Sequence, residues 1–322
     1  MITKKRAAMG ALIVFFVLVI MVTYVNRNSP ESDHKKDKFT IVTTFTILED
    51  FAQNIAGNKG DVRVISPRGA EVHEWELLPE NFIDLEQADI VFYNGLNVEQ
   101  WMDQVQSAVS SEIPVIAVGE VCDYPRQPIV TGDFAGEPDP HIWMDVQGAI
   151  CYVQIIRDKL QQHNPDLKKT YQKNSHNYIQ KLNKLDNYIE KNLNKIPPEK
   201  RLLITTEAAF VYFSEAYNLE HNGIWGTNTE QEGTPGQIKR IMDLIEEKKP
   251  PALFWESTGS DRYAKNISRD TEIPVSGPLY VDSVGKSDSK AETYIKMMKK
   301  NTRLLKKVYT DKNQESGRSQ DD

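Results

Sequence analysis

Short apolar stretches alternate with amphipathic stretches over most of the chain from residue 39 onwards. In the first half the strand candidates, rich in Val, Ile, Phe and Tyr, are FTIVTT, DVRVISP, ADIVFYNG and IPVIAVG. In the second half they are RLLITT, IWG, PALFWE and IPVSGPLY. The segments between them have apolar residues at helical spacing. This alternation predicts an α/β fold of two lobes, each a mostly parallel sheet flanked by helices.

A long amphipathic segment separates the two alternating halves. Its apolar residues recur at helical spacing, with Lys, Asn and Glu between them; they are Tyr171, Tyr178, Leu182, Leu185 and Ile189. Asn164-Pro165 precedes the segment, and Pro197-Pro198 ends it because proline cannot continue a helix. We expect one rigid helix of about 30 residues, which joins the two lobes as a backbone.

The N-terminus has a different pattern. Lys4, Lys5 and Arg6 precede an uncharged run from Ala7 to Val25. As a helix, these roughly 19 residues would span about 28 Å, close to a bilayer core. No small-residue cleavage site stands out and no cysteine follows the run, so an uncleaved anchor is favoured over a cleaved signal peptide or a lipid-modified cysteine. The preceding basic cluster places the remainder outside the cytoplasm.

These patterns divide the chain into six predicted parts. They are an anchor or signal segment (1–25), a spacer (26–38), an N-terminal lobe (39–165), a connecting helix (166–196), a C-terminal lobe (197–310) and a disordered tail (311–322). Asp and Glu outnumber Lys and Arg by 46 to 39, which argues against nucleic-acid binding. We expect a monomer.

The two cysteines, Cys122 and Cys151, leave a disulfide open, since such bonds form outside the cytoplasm. Cys151 lies on a predicted helix, and the simpler interpretation is a small buried hydrophobic residue.

Four chemically active side chains fall just after predicted strands. His73 and His141 follow strands of the first half, and Glu207 and Asp282 follow strands of the second half. Ligands of parallel sheets bind outside the carboxyl ends of the strands. Two imidazoles and two carboxylates suit Mn²⁺, Fe²⁺ or Zn²⁺. Each residue alone also fits a structural role, such as a hydrogen-bonded histidine, a helix-terminal Glu207 or a turn at Asp282.

Local motifs around these residues resemble one family. GAEVHEWELLPEN, EPDPHIWMD and TTEAAFVYFSEAYNL are similar to ligand segments of the metal-binding receptors of ABC transporters, the cluster A-I solute-binding proteins. WGTNTEQEGTPGQI, FWESTGSDR and YVDS resemble the later segments of that family. The likeness runs in order over residues 39–308. One departure is Val72, where the family usually has a proline.

The resemblance implies a non-enzymatic extracytoplasmic receptor that carries a divalent ion between its lobes and delivers it to a membrane permease with a cytoplasmic ATPase. It assigns the ligands to His73, His141, Glu207 and Asp282. Glu at the third position goes with manganese or iron receptors, and the histidine-rich loop of zinc receptors is absent from the sequence between 119 and 140. We therefore expect Mn²⁺, then Fe²⁺ or Zn²⁺. The long helix suggests release by local movement on the Asp282 side.

Two other functions are compatible with parts of the sequence. A surface adhesin of the same fold is one, although no repeats or stalk support it. A metallohydrolase is the other, but residue 77 is Leu, so His73-Glu74 does not begin an H-E-x-x-H motif. Around the ligands, Trp75, Trp143 and Phe210 could form the pocket wall or ordinary core, and Glu256 and Asp261 are candidates for supporting contacts.

Overall fold

The computed structural model describes residues 38–227 and 232–310. The predicted anchor, residues 26–37 of the spacer and the predicted tail lie outside the described residues. Within the described ranges, none of the helices combines the length and the apolar character needed to cross a bilayer.

The first half forms a four-stranded parallel sheet in the order β2-β1-β3-β4. Its elements, in chain order, are β1 (Phe39–Thr43), α1 (Thr46–Ala56), β2 (Gly60–Val64), α2 (Pro79–Glu86), β3 (Ile90–Tyr93), α3 (Met102–Ala108), β4 (Val115–Ala117), α4 (Val118–Val121) and α5 (Val146–His163). Strand β1 is buried almost throughout, as expected for a parallel sheet covered on both faces. Asp145 caps the N-terminus of helix α5, because its side chain accepts a hydrogen bond from the Gln147 amide.

The second half repeats this topology, with a parallel sheet in the order β6-β5-β7-β8. Its elements are β5 (Leu202–Glu207), α7 (Val211–Ala216), β6 (Glu220–Trp225), α8 (Pro235–Lys248), β7 (Leu253–Glu256), α9 (Arg262–Thr271), β8 (Val275–Leu279) and α10 (Tyr294–Thr310). Thr234 and Gln237 form a reciprocal capping box at the start of α8, and Pro235 occupies its first turn. The predicted α/β class, with two parallel sheets flanked by helices, is confirmed.

The predicted connecting helix is α6 (Lys168–Leu193), which contains 26 residues and is about 39 Å long. It starts after a short 3-10 turn at Pro165–Leu167. All five apolar residues that predicted it are buried, and the helix packs against α1, α5 and α10. A single apolar core therefore runs from the first sheet across α6 to α10. A second, smaller core lies between the second sheet and helices α8 and α9.

The structure decides the open question about the cysteines. Cys122, at the end of α4, and Cys151, on α5, form a disulfide, with their Cα atoms 6.0 Å apart. The interpretation of Cys151 as a small buried hydrophobic residue was wrong. A helical spacing on α5 shows only that Cys151 lies near the core, and cannot show that its sulfur faces a partner on α4.

Candidate metal centre

The four candidate ligands lie at the carboxyl edges of the two sheets. His73 is in the loop that follows β2, and His141 is in the loop that follows α4. Glu207 is the last residue of β5, and Asp282 follows β8. Because all strands within each sheet are parallel, their carboxyl ends present these loops on one side.

The structure brings the four side chains together. One donor atom from each lies within 4.8 Å of the other three. His141 Nε2 is 3.2 Å from Asp282 Oδ1, and Glu207 Oε1 is 3.8 Å from His73 Nε2 and 4.0 Å from His141 Nε2. Donors bound to one ion at about 2.1 Å lie roughly 3–4 Å apart. Small side-chain adjustments would therefore allow one ion to contact all four residues.

Burial makes these donors costly to leave without a partner. Both ring nitrogens of His73 and both carboxylate oxygens of Asp282 are buried without a hydrogen bond. His141 Nε2 and Glu207 Oε1 are also buried without a hydrogen bond. A buried polar atom without a partner destabilises the fold by about 1–3 kcal/mol. A cation bound among these atoms would satisfy one nitrogen of each imidazole and the carboxylate oxygens of Glu207 and Asp282, so the donor set fits a divalent metal ion.

The electrostatics of the cluster favour positive charge. Burial disfavours the charged form of His141, but the carboxylates of Asp139 and Asp282 outweigh this and raise its pKa well above the ordinary value of 6.5. Burial also raises the pKa of Glu207 well above 4.5, with a further increase from the charge of Asp282. Protons and metal ions therefore compete for the same electron pairs in this cluster.

Asp139 fixes the orientation of His141, a role that the sequence did not reveal. Its Oδ1 accepts hydrogen bonds from the His141 amide at 2.9 Å and lies 3.1 Å from His141 Nδ1. Its Oδ2 accepts a hydrogen bond from Thr227 of the second lobe. With a proton on Nδ1, the Nε2 lone pair of His141 points to the centre of the cluster. The sequence offered one sign of this role, which is that Asp139 is the aspartate of the DPH segment that ends in His141.

We expect Asp139→Asn to lower the metal affinity by about 10- to 100-fold, because the imidazole loses its charged orienting partner. Isothermal titration with Mn²⁺ at fixed pH measures the change. Asp133→Asn is the matched control, since Asp133 is exposed in the same loop. Equal affinities of the two variants would contradict the role of Asp139.

The loop that carries Asp282 is held by the first lobe. The carbonyl of Val281 accepts a hydrogen bond from the Trp143 indole at 3.0 Å. The Val284 amide donates to Thr46 Oγ1 at 2.9 Å, and the Gly69 amide donates to Ser283 Oγ at 2.7 Å. Asp282 therefore forms a fixed unit with His73 and His141, although it follows a strand of the second lobe.

Of the supporting candidates, Trp143 and Glu256 contact this cluster. The Trp143 ring packs 5.1 Å from the His141 ring, and Glu256 Oε2 accepts a long, 3.4 Å hydrogen bond from the Glu207 amide. Burial raises the pKa of Glu256 well above its ordinary value. Asp261, the other candidate for supporting or hinge contacts, forms an ion pair with Lys265 on α9.

The two aromatic residues that remain are part of the packing. Phe210 is fully buried and packs against Phe213 in the large core. Trp75 is half-buried and packs against the same core.

Comparison with known proteins decides the family. Residues 41–308 match the family model described as "ZnuA: Zinc-uptake complex component A periplasmic". The chain belongs to the ZnuA family. This membership confirms the resemblance to metal-binding receptors of ABC transporters, which rested on six short motifs.

Curated relatives cover nearly the full length of this ZnuA-family chain. The iron-binding protein YfeA of Yersinia pestis is 36% identical over 91% of this chain and 93% of its own. The manganese-binding lipoprotein MntA of Halalkalibacterium halodurans is 37% identical over 89% of this chain and 94% of its own. The manganese ABC transporter substrate-binding lipoprotein PsaA of Streptococcus pneumoniae is 36% identical over 91% and 96%.

Solved structures of similar proteins share the fold. The periplasmic zinc-binding protein TroA from Treponema pallidum superposes with a TM-score of 0.79 at 27% identity, over 85% of this chain and all of its own. A Mn-bound periplasmic metal-binding protein from Candidatus Liberibacter asiaticus has a TM-score of 0.76 at 27% identity, over 84% of this chain and all of its own. Both are metal-binding proteins by their descriptions.

Proposed function

We propose that this ZnuA-family protein captures a divalent metal ion outside the cytoplasm and presents it to the membrane permease of an ABC transporter, which a cytoplasmic ATPase powers. The ligands are His73, His141, Glu207 and Asp282. The observation that carries the proposal is the convergence of these four buried donors from both lobes within 4.8 Å. Two neutral imidazoles and two carboxylates balance the charge of a divalent cation.

Mn²⁺ is the favoured cargo, followed by Fe²⁺ and Zn²⁺. Relatives at 36–37% identity are named for iron or manganese. Carboxylates can bind through one or both oxygens, so Glu207 and Asp282 allow a coordination number above four, which Mn²⁺ and Fe²⁺ accept. Zn²⁺ should bind such donors at least as tightly as Mn²⁺ in vitro. The cargo in the cell therefore depends on metal supply as well as on affinity.

The site is suited to carrying an ion and not to catalysis. Catalytic zinc sites keep a coordination position for water or substrate. Here four protein ligands surround one point, and two of them can be bidentate. The family is one of substrate-binding receptors, and this donor set agrees with that role.

The tether to the membrane should differ from that of the relatives that are named lipoproteins. A lipid anchor needs a cysteine near the N-terminus, but the cysteines of this chain are at positions 122 and 151 and form a disulfide. We therefore assign the anchoring role to the apolar segment 7–25, which keeps the receptor beside its permease. Release of the protein from membranes by detergent, but not by high salt, would test this assignment.

Glu207 is the ligand best placed to move when the ion is released. His141 and Asp282 have side chains that are 0% and 1% exposed, whereas His73 and Glu207 are 9% and 14% exposed. The first lobe fixes the Asp282 loop through the hydrogen bonds described above. These contacts favour movement of Glu207 over the movement of Asp282 that the long helix suggested.

The metal affinity should fall as the pH is lowered. The pKa of His141 and that of Glu207 are both raised, so each group binds a proton at a higher pH than usual and the ion must displace it. Each displaced proton changes the affinity about tenfold per pH unit. Titrations with Mn²⁺ between about pH 8 and pH 6 should show a steady loss of affinity towards pH 6. A constant affinity over this range would contradict the proton competition.

Metal accumulation by the native host tests the proposed function. Deletion of the gene should lower cellular manganese in metal-poor medium, and the wild-type chain should restore it. Protein purified from the same host under chelator-free conditions should contain close to one ion per chain, identified by elemental analysis. A deletion strain with unchanged manganese, iron and zinc would overturn the function.

A further inference from the structure

We propose that the outer surface of helix α2 docks onto the outer face of the permease, against apolar side chains ringed by Lys and Arg. This α2 surface consists of Leu78, Pro79, Phe82 and Ile83, flanked by Glu80 and Glu86. The proposal rests on the proposed function, because it names the part of the receptor that reaches the transporter.

Large apolar side chains are exposed in two connections of the first sheet, those that follow β2 and β4. Within the described residues, five such side chains are at least 39% exposed: Leu78, Phe82, Ile83, Val121 and Val130. The first three lie at the start of α2, which follows the loop after β2, and the other two follow β4. All five therefore belong to the connections that follow β2 and β4, and these connections also carry His73 and His141.

The geometry of α2 gathers its exposed apolar residues on one face. An α-helix turns 100° per residue, so Ile83 points to the side opposite the buried Leu85. Pro79 and Phe82, which lie about 40° and 100° from Ile83 on one side of the helix, are also exposed. Ile83 is 54% exposed and Phe82 is 43% exposed. A helix of a globular protein normally directs such residues inwards, and exposed apolar patches mark interaction sites.

The chain around this surface is strongly acidic, and Arg63 of β2, which contacts α2, is paired with Asp61 and Asp84. Residues 69–125 contain no Lys or Arg, and they contain twelve acidic residues: Glu71, Glu74, Glu76, Glu80, Asp84, Glu86, Asp89, Glu99, Asp103, Glu112, Glu120 and Asp123. The acidic groups that flank the exposed apolar face, Glu80 and Glu86, are themselves exposed. Complementary charge guides association and excludes wrong partners. A second copy of this chain would bring like charges together, whereas a basic protein surface would pair with them.

The α2 surface is also connected to the metal site. Leu78 follows His73 by five residues, and Trp101 Nε1 donates a hydrogen bond to the carbonyl of Val72, the residue before His73. His73 is one of the two ligands with measurable exposure. A partner seated on α2 would therefore contact the segment that carries His73.

The test is the triple variant Leu78→Ser, Phe82→Ser and Ile83→Ser. Purified variant should bind Mn²⁺ within about threefold of the wild-type affinity, because none of the three side chains is a ligand. In host cells that lack the native gene, manganese should accumulate at least about tenfold more slowly with the triple variant than with the wild-type chain, at equal receptor abundance. Lys168→Ser, Lys173→Ser and Lys184→Ser on the exposed face of α6 form the matched control, which should accumulate manganese as the wild type does.

One further double variant and four outcomes make the result decisive. Glu80→Lys with Glu86→Lys should also slow accumulation without loss of Mn²⁺ affinity. Accumulation at the wild-type rate by the triple variant would overturn the docking surface alone. Loss of Mn²⁺ binding by the purified triple variant would also overturn it. A wild-type protein that sediments as a dimer, together with a triple variant that sediments as a monomer, would overturn it as well, because α2 would then contact a second copy of the chain. A wild-type chain that restores no metal would overturn the proposed function itself.

Discussion

We expect His141→Ala to lower the affinity for Mn²⁺ by more than about 100-fold, beyond the usual effect of removing an outer-sphere partner of a metal site. His141 is fully buried, and its Nε2 lies within 4.0 Å of both carboxylate ligands. The truncated side chain leaves Asp139 and Asp282 as buried anions without the imidazole between them. Competition with a fluorescent chelator measures the affinity over the required range.

The control for this substitution is His176→Ala. His176 is exposed on α6 and contacts Gln180, so its loss should leave the Mn²⁺ affinity unchanged. Circular dichroism should show the same helix content in both variants. An affinity of His141→Ala within tenfold of the wild-type value would mean that the ion binds elsewhere.

Removal of the disulfide should have the largest effect on stability among the changes considered. Cys122→Ser with Cys151→Ser removes a cross-link between residues that are 29 positions apart. Without it, the unfolded chain gains conformational entropy, which favours unfolding. We expect the free energy of unfolding of the metal-stripped protein to fall by about 3 kcal/mol. The melting temperature should fall by on the order of 5 °C. Urea denaturation followed by tryptophan fluorescence measures the first quantity.

Reduction of the wild-type protein gives an independent check on the disulfide. Dithiothreitol should lower the wild-type stability to that of the double serine variant and should leave the variant unchanged. The Mn²⁺ affinity of the reduced protein should stay close to that of the oxidised protein, because Asp139 holds His141 by its own hydrogen bonds. A loss of less than about 0.5 kcal/mol would show that the bond adds little to the fold.

Much of the architecture could be predicted because it depends on local patterns. The apolar runs give the strands, and the spacing of Tyr171, Tyr178, Leu182, Leu185 and Ile189 gives the buried face of α6. The ends of that helix were less exact, since residues 166 and 167 belong to a 3-10 turn and the helix ends at Leu193, whereas the pattern predicted α-helix over 166–196. Helix ends depend on a few hydrogen bonds, which the periodicity of side chains does not specify.

The contacts that could not be predicted join residues far apart in sequence. Thr227 and Asp139 are 88 positions apart, and Val284 and Thr46 are 238 apart. Each contact depends on how two loops pack, and neither loop has a periodic pattern. This explains why His141 could be recognised as a candidate ligand while its orienting carboxylate and the fixed position of the Asp282 loop could not. The pairing of Cys122 with Cys151 belongs to the same class.

The most direct test of the account is a crystal structure of the protein soaked with Mn²⁺, with anomalous data that locate the ion. We predict one strong peak within about 2.0–2.4 Å of donor atoms from all four residues: His73, His141, Glu207 and Asp282. The positions of His73, His141 and Asp282 should change little between the soaked and the metal-stripped crystals. The side chain of Glu207 is the part of the site that should move. A peak that lacks any one of the four ligands, or an ion bound outside this cluster, would contradict the central claim.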